Sequence, residues 1–202
     1  MTTTPDLYPI LLQPHPTLST VAEPAPGATP ATLAILEKML ATLYRADGVG
    51  LAAPQVDVRQ RMFVMDLGAR TPEGKRDFSV KVPKFYINPA IVWASEETVS
   101  HQEGCLSLPG LWGEVVRPAR VTLAYTDRDG QPVEETLEGL DAVCVQHEID
   151  HLDGIVFSQR MSKLRRDIAM GKWAKLRKDI IKNGASFEIL AAEAGVISAR
   201  KD

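Results

Sequence analysis

The chain has 202 residues, of which 45% are hydrophobic and 24% charged, the balance of an ordinary globular protein with length enough for one domain and a buried core. A net charge of -3 gives no sign of nucleic-acid binding by the molecule as a whole, and no run approaches the roughly 18 apolar residues of a membrane span. Two cysteines, Cys105 and Cys144, are too few for a disulfide framework, and the start Met1 to Asp6 lacks the basic and apolar segments of a secretory signal, so the cytoplasm is the expected location.

Residues 14–30 carry Pro14, Pro16, Pro24, Pro26 and Pro30 and predict an extended, loop-rich arm. Thr29-Pro30 then reads as a helix start, with Leu33, Leu36, Leu40, Leu43 and Tyr44 at helical spacing and an end near Asp47-Gly48. A strand is expected over 61–66 and an exposed loop or insertion over 68–84, with short strands at 85–88 and 91–93 around Pro89. Residues 98–102 read as a polar stretch. Alternating Val121, Leu123 and Tyr125, followed by Asp127-Arg128-Asp129-Gly130, predict a hairpin over 120–138. A helix over about 139–152 follows, then a basic one over about 160–182. The fold class is α+β: small mixed and antiparallel strands around a central metal-binding helix, with an N-terminal and a C-terminal helix. One domain is expected to span 1–202, with its core at about 8–165 and a tail at 185–202.

Three segments carry chemistry. In His147-Glu148-Ile149-Asp150-His151, residues four apart on a helix lie one turn apart on one face, so both imidazoles can reach one ion with Glu148 beside them. Leu140, Val143 and Cys144 continue that face upstream. A catalytic ion takes a third protein ligand. Cys105, in Glu103-Gly104-Cys105-Leu106-Ser107, suits a borderline-soft ion; His101 is its rival, and Glu188 and Glu193 are the only glutamates downstream. The third segment, Gly48-Val49-Gly50-Leu51-Ala52-Ala53-Pro54-Gln55, permits close backbone approach and ends in an amide donor.

Together, and in this order, the segments resemble the three motifs of the peptide deformylases. The resemblance implies a metal-dependent hydrolase of protein biosynthesis that removes the formyl group from N-formylmethionine on new polypeptides. It implies one divalent ion on Cys105, His147 and His151, namely Fe(II), with Zn, Ni or Co as substitutes. Glu148 is implied as general base and acid, and Gln55 with the Leu106 N–H as oxyanion donors. Gly50 is implied as a backbone contact to substrate, and Val49, Leu106, Cys144 and His147 as the wall of the methionine pocket. Arg117 is implied near the mouth, and the protein is expected to be a monomer. The alternatives are a zinc endopeptidase, which would use a third ligand other than Cys105, and an inactive relative that only binds formylated peptides or ribosomes.

Residues 158–184 hold nine Lys or Arg against Asp167 and Asp179, a local balance of +7. Leu164, Ile168, Leu176 and Ile180 are expected to dock this helix. Its charge resembles a ribosomal-RNA contact, and its removal is expected to leave the chemistry intact.

Overall fold

The computed structural model describes residues 7–182. The tail at 185–202, with Glu188 and Glu193, lies outside the described residues.

Thr29 caps α1 (Pro30–Arg45) by accepting the Thr32 N–H, and Pro30 sits in the first turn, where its missing N–H is not needed. Leu36, Met39, Leu40 and Leu43 form its buried face. The chain then forms β1 (Gly50–Ala52), a 3₁₀ turn at Ala53–Val56 and β2 (Met62–Met65).

Residues 68–84 are more than an exposed loop. They hold the two-stranded β3 (Ala69–Arg70) and β4 (Arg76–Asp77). Buried Asp66 pins the segment by accepting the N–H groups of Gly68 and Val82. The two short strands expected around Pro89 are one strand, β5 (Lys84–Ala94), with a register shift between Ile87 and Ala90. Asn88 takes the left-handed conformation there (φ 53°), and its side-chain amide exchanges two hydrogen bonds with the backbone of Ala25.

The stretch read as polar is β6 (Thr98–Gly104), paired with β7 (Trp112–Pro118) in a separate hairpin. The strands β8 (Arg120–Thr126) and β9 (Pro132–Glu138) complete an antiparallel five-stranded sheet in the order β1-β2-β5-β8-β9.

Helix α2 (Gly139–Leu152) is the centre of the fold: every residue from Asp141 to Leu152 is buried. One flank packs on the sheet through Ala142, Val145, Ile149 and Leu152. The last helix, α3 (Lys163–Lys182), docks through Ala169, Trp173 and Ile180; of the expected stripe only Ile180 is buried, whereas Leu164 is 72% exposed and Ile168 55%. Its buried side chains share one apolar cluster with Leu18, Leu108 and Cys105. Among the described residues no helix is long and apolar enough to cross a membrane.

Candidate active site

Three segments far apart in sequence meet beside α2. Helical geometry sets His147 and His151 one turn apart, with ring centroids 5.1 Å apart in an edge-to-face arrangement. The turn after β6 brings Cys105 to them, its Sγ 3.2 Å from His151 Nε2. The ligand atoms of Cys105, His147 and His151 all lie within 4.8 Å of one another, and all three residues are buried. His101 lines the cleft but stands outside this group, with Nδ1 3.0 Å from the carbonyl oxygen of Gln102.

These donors fit one divalent ion. A thiolate and two imidazoles suit a borderline-soft cation. The neighbouring Glu148 is buried, and its Oε2 has no hydrogen-bond partner in the protein, as expected of a carboxylate that faces a cation or its water. Burial pushes this carboxyl up to about 7, opposed by His147 and assisted by Glu103. Glu148 fits only because β1 passes it at Gly50: a Cβ there would meet Glu148 Oε1 at 2.2 Å.

Gln55, in the 3₁₀ turn after β1, has a fixed amide. Its Oε1 accepts the Ala52 N–H at 2.9 Å, so Nε2 turns towards Ser107 Oγ at 3.1 Å and Cys105 Sγ at 3.5 Å. Val49, Leu106, Leu140, Val143, Cys144 and His147 wall a cleft of about 590 Å³, open mouth included. Burial raises the Cys144 thiol pKa well above its usual range, so this wall residue stays protonated.

Arg117 is not at the mouth. It is 4% exposed and does not line the cleft. Its Nε and NH2 donate to the two oxygens of Glu103 at 2.5 and 2.9 Å, and its NH1 donates to Asp150 at 2.9 Å. Glu103 in turn holds His147 Nδ1 at 2.8 Å, which leaves Nε2 for an ion. Asp150 also takes Arg160. Burial would raise the Glu103 carboxyl, but the hydrogen bonds from Arg117 and His147 outweigh it and hold the group at about 2. The residue is therefore an anion that orients a ligand.

Sequence reasoning gave no role to Glu103 or Trp112. Glu103 had a signal, a carboxylate two residues before a candidate ligand. Trp112 lies across Gly104, where a Cβ would come within 3.0 Å of its ring, and forms part of the cleft wall.

Buried donors for a single ion, a carboxylate able to carry protons beside them and an apolar slot at hand make this a mononuclear metallohydrolase. The family model for polypeptide deformylase matches residues 7–167, and the chain belongs to that family. It is 47% identical over 143 residues to a peptide deformylase of Phenylobacterium zucineum, covering 71% of this chain and 80% of that protein. The crystal structure of peptide deformylase from Ehrlichia chaffeensis superposes with a TM-score of 0.78 at 34% identity, covering 87% of this chain and 99% of that one. A peptide deformylase from Synechococcus elongatus in complex with actinonin gives 0.73 at 32% identity, covering 86% and 88%.

Proposed function

We propose that this protein removes the formyl group from the N-terminal formylmethionine of newly made polypeptides and releases formate. One observation carries the reading: Cys105, His147 and His151 converge within 4.8 Å beside Glu148, whose Oε2 has no hydrogen-bond partner, in a chain of the deformylase family. A divalent ion held by those three residues would supply a water acidic enough to act at neutral pH. Fe(II) is the proposed ion, and Zn, Ni and Co fit the same donors.

The remaining work falls to side chains and backbone groups of the chain. Gln55 Nε2 and the Leu106 N–H hold the formyl oxygen as charge grows on it, an effect of roughly 3–4 kcal/mol per donor in other enzymes. Glu148 takes the proton of the attacking water and returns it to the departing amine. Val49, Leu106, Leu140 and Cys144 receive the methionine side chain, and the β1 backbone at Gly50 aligns the peptide. Arg117 acts through Glu103 and not on the substrate.

The test is formate release from formyl-Met-Ala-Ser by anaerobically prepared protein, with metal content measured, beside Glu148→Ala. Rapid release, about one ion per chain and near-loss in the variant with its ion retained support the reading. Absence of release from a metal-loaded chain overturns it.

The partner proposed for α3 is ribosomal RNA, a reading supported by exposed Lys163, Lys172, Lys175, Lys178 and Lys182. Lys172→Glu with Lys175→Glu should then abolish salt-sensitive co-sedimentation with ribosomes. Unchanged co-sedimentation rejects the contact.

A further inference from the structure

The segment leading into the proline-rich stretch, just before a 3₁₀ turn at Pro16–Ser19, is held tightly. The Leu11 N–H donates to the Gln55 carbonyl at 2.7 Å, and the Gln13 N–H donates to the Ser107 carbonyl at 3.0 Å. Two amides two residues apart on this arm thus tie together the backbones of two site segments. Those segments also meet through side chains, since Gln55 Nε2 donates to Ser107 Oγ.

The outer side of the arm is held by α3. Trp173 is 2% exposed, on a helix that is otherwise mostly solvated, and its indole Nε1–H donates to the Gln13 carbonyl at 3.1 Å. A buried indole N–H needs a partner, and the arm provides it. Leu11 and Leu12 pack against the cluster that contains Trp173, Leu108 and Cys105. An unbroken path therefore runs from Trp173 through Gln13 to Ser107 and the Gln55 amide.

We propose that Trp173 is a positioning residue for the Gln55 amide: by fixing the arm, it sets the direction in which that donor points into the cleft. The inference rests on the oxyanion role given above to Gln55. It also makes α3 part of the catalytic architecture and not the separable appendage that its charge suggests. Donors at a site of developing charge are sensitive to displacements well below 1 Å, so a small relaxation of the arm is enough to slow turnover.

Trp173→Phe keeps a ring and deletes only the donor. On formyl-Met-Ala-Ser its kcat should fall about three- to tenfold with KM within about twofold, because the loss affects the transition state more than substrate binding. In a Gln55→Ala background the same change should have no further effect on kcat. An equal fall in both backgrounds overturns the proposal, as does an unchanged kcat in the single variant. Amide exchange gives a reading independent of activity: in Trp173→Phe the Leu11 and Gln13 amides should exchange faster and the Gln55 side-chain resonances should move. In the unaltered chain the Trp173 indole N–H and those two amides should share one opening rate. An indole exchanging ahead of both amides, or amides indifferent to the substitution, rejects the relay. If the unaltered chain releases no formate, the deformylase reading fails by itself, and exchange still decides whether Trp173 holds the arm.

Discussion

Gly50 and Glu148 compete for one space: a Cβ on Gly50 would stand 2.2 Å from Glu148 Oε1 and 2.8 Å from the carboxyl carbon. The edge strand β1 thus does more than line the cleft. Its missing side chain lets a buried carboxylate stand beside three ion ligands. In Gly50→Ala the carboxylate, as the flexible partner, has to swing away. Metal content should stay at that of the parent, while kcat falls by about 100-fold, the scale of a proton carrier misplaced by an ångström. A kcat within about threefold of the parent would mean that the position of Glu148 is not what Gly50 protects.

Glu103 and Arg117 make a second testable pair. The carboxylate uses one oxygen for both Arg117 and His147, and Arg117 continues to Asp150. Glu103→Gln weakens the hold on the ring of His147, so the ion should bind about 10–100-fold more weakly. Arg117→Ala leaves Glu103 buried without its guanidinium, although Asp150 keeps Arg160, and should cost about 3–5 kcal/mol of stability in urea unfolding. A loss below about 1 kcal/mol, the scale of an exposed pair, would show that water replaces the guanidinium.

The parts legible in the sequence were local in origin. Helical period alone placed His147 and His151 on one face, and Thr29-Pro30 marked the start of α1. Choosing Cys105 over His101 needed the resemblance, because the hairpin β6–β7 that sets Cys105 beside α2 has no apolar alternation to reveal it. Its inward positions include Glu103 and Arg117, both buried, and hydropathy reads such residues as outward. Arg117 was put at the mouth by the resemblance, and nothing local in the sequence showed its buried partners Glu103 and Asp150. Arg70 and Arg76 looked like a solvated loop because their partner, Asp141, stands 71 and 65 positions away. On α3, Leu164 and Ile168 carried the apolar signal, whereas Trp173 makes the contact with the arm.

That distant partner yields a prediction of its own. Asp141, near the start of α2, takes Arg70 at 2.7 Å and also Arg76, and so fastens the β3–β4 hairpin. Asp141→Ala should free the segment while the sheet stays intact. A local loss of about 1.4 kcal/mol would raise its open population, and with it tryptic cleavage at 70–76, about tenfold. An unchanged cleavage rate would leave Asp66, through Gly68 and Val82, as the anchor that matters.

The two cysteines separate a ligand from a wall. Both are buried, but only Cys105 has its sulfur within 4.8 Å of both histidine ligand atoms, while burial raises the Cys144 thiol pKa well above its usual range. Chelation under anaerobic conditions should therefore abolish formate release, and Fe(II), Ni or Co should restore it. The reloaded protein should also gain about 2.7 kcal/mol against unfolding at free metal a hundred times Kd, since the ion binds the folded chain alone. Cys105→Ser should remove most of the bound metal, because a serine hydroxyl is a far poorer donor than a thiolate. Cys144→Ser should keep the metal stoichiometry of the parent. The reverse pattern would move the third ligand from the turn after β6 onto α2 itself, where Cys144, His147 and His151 follow one another along the helix.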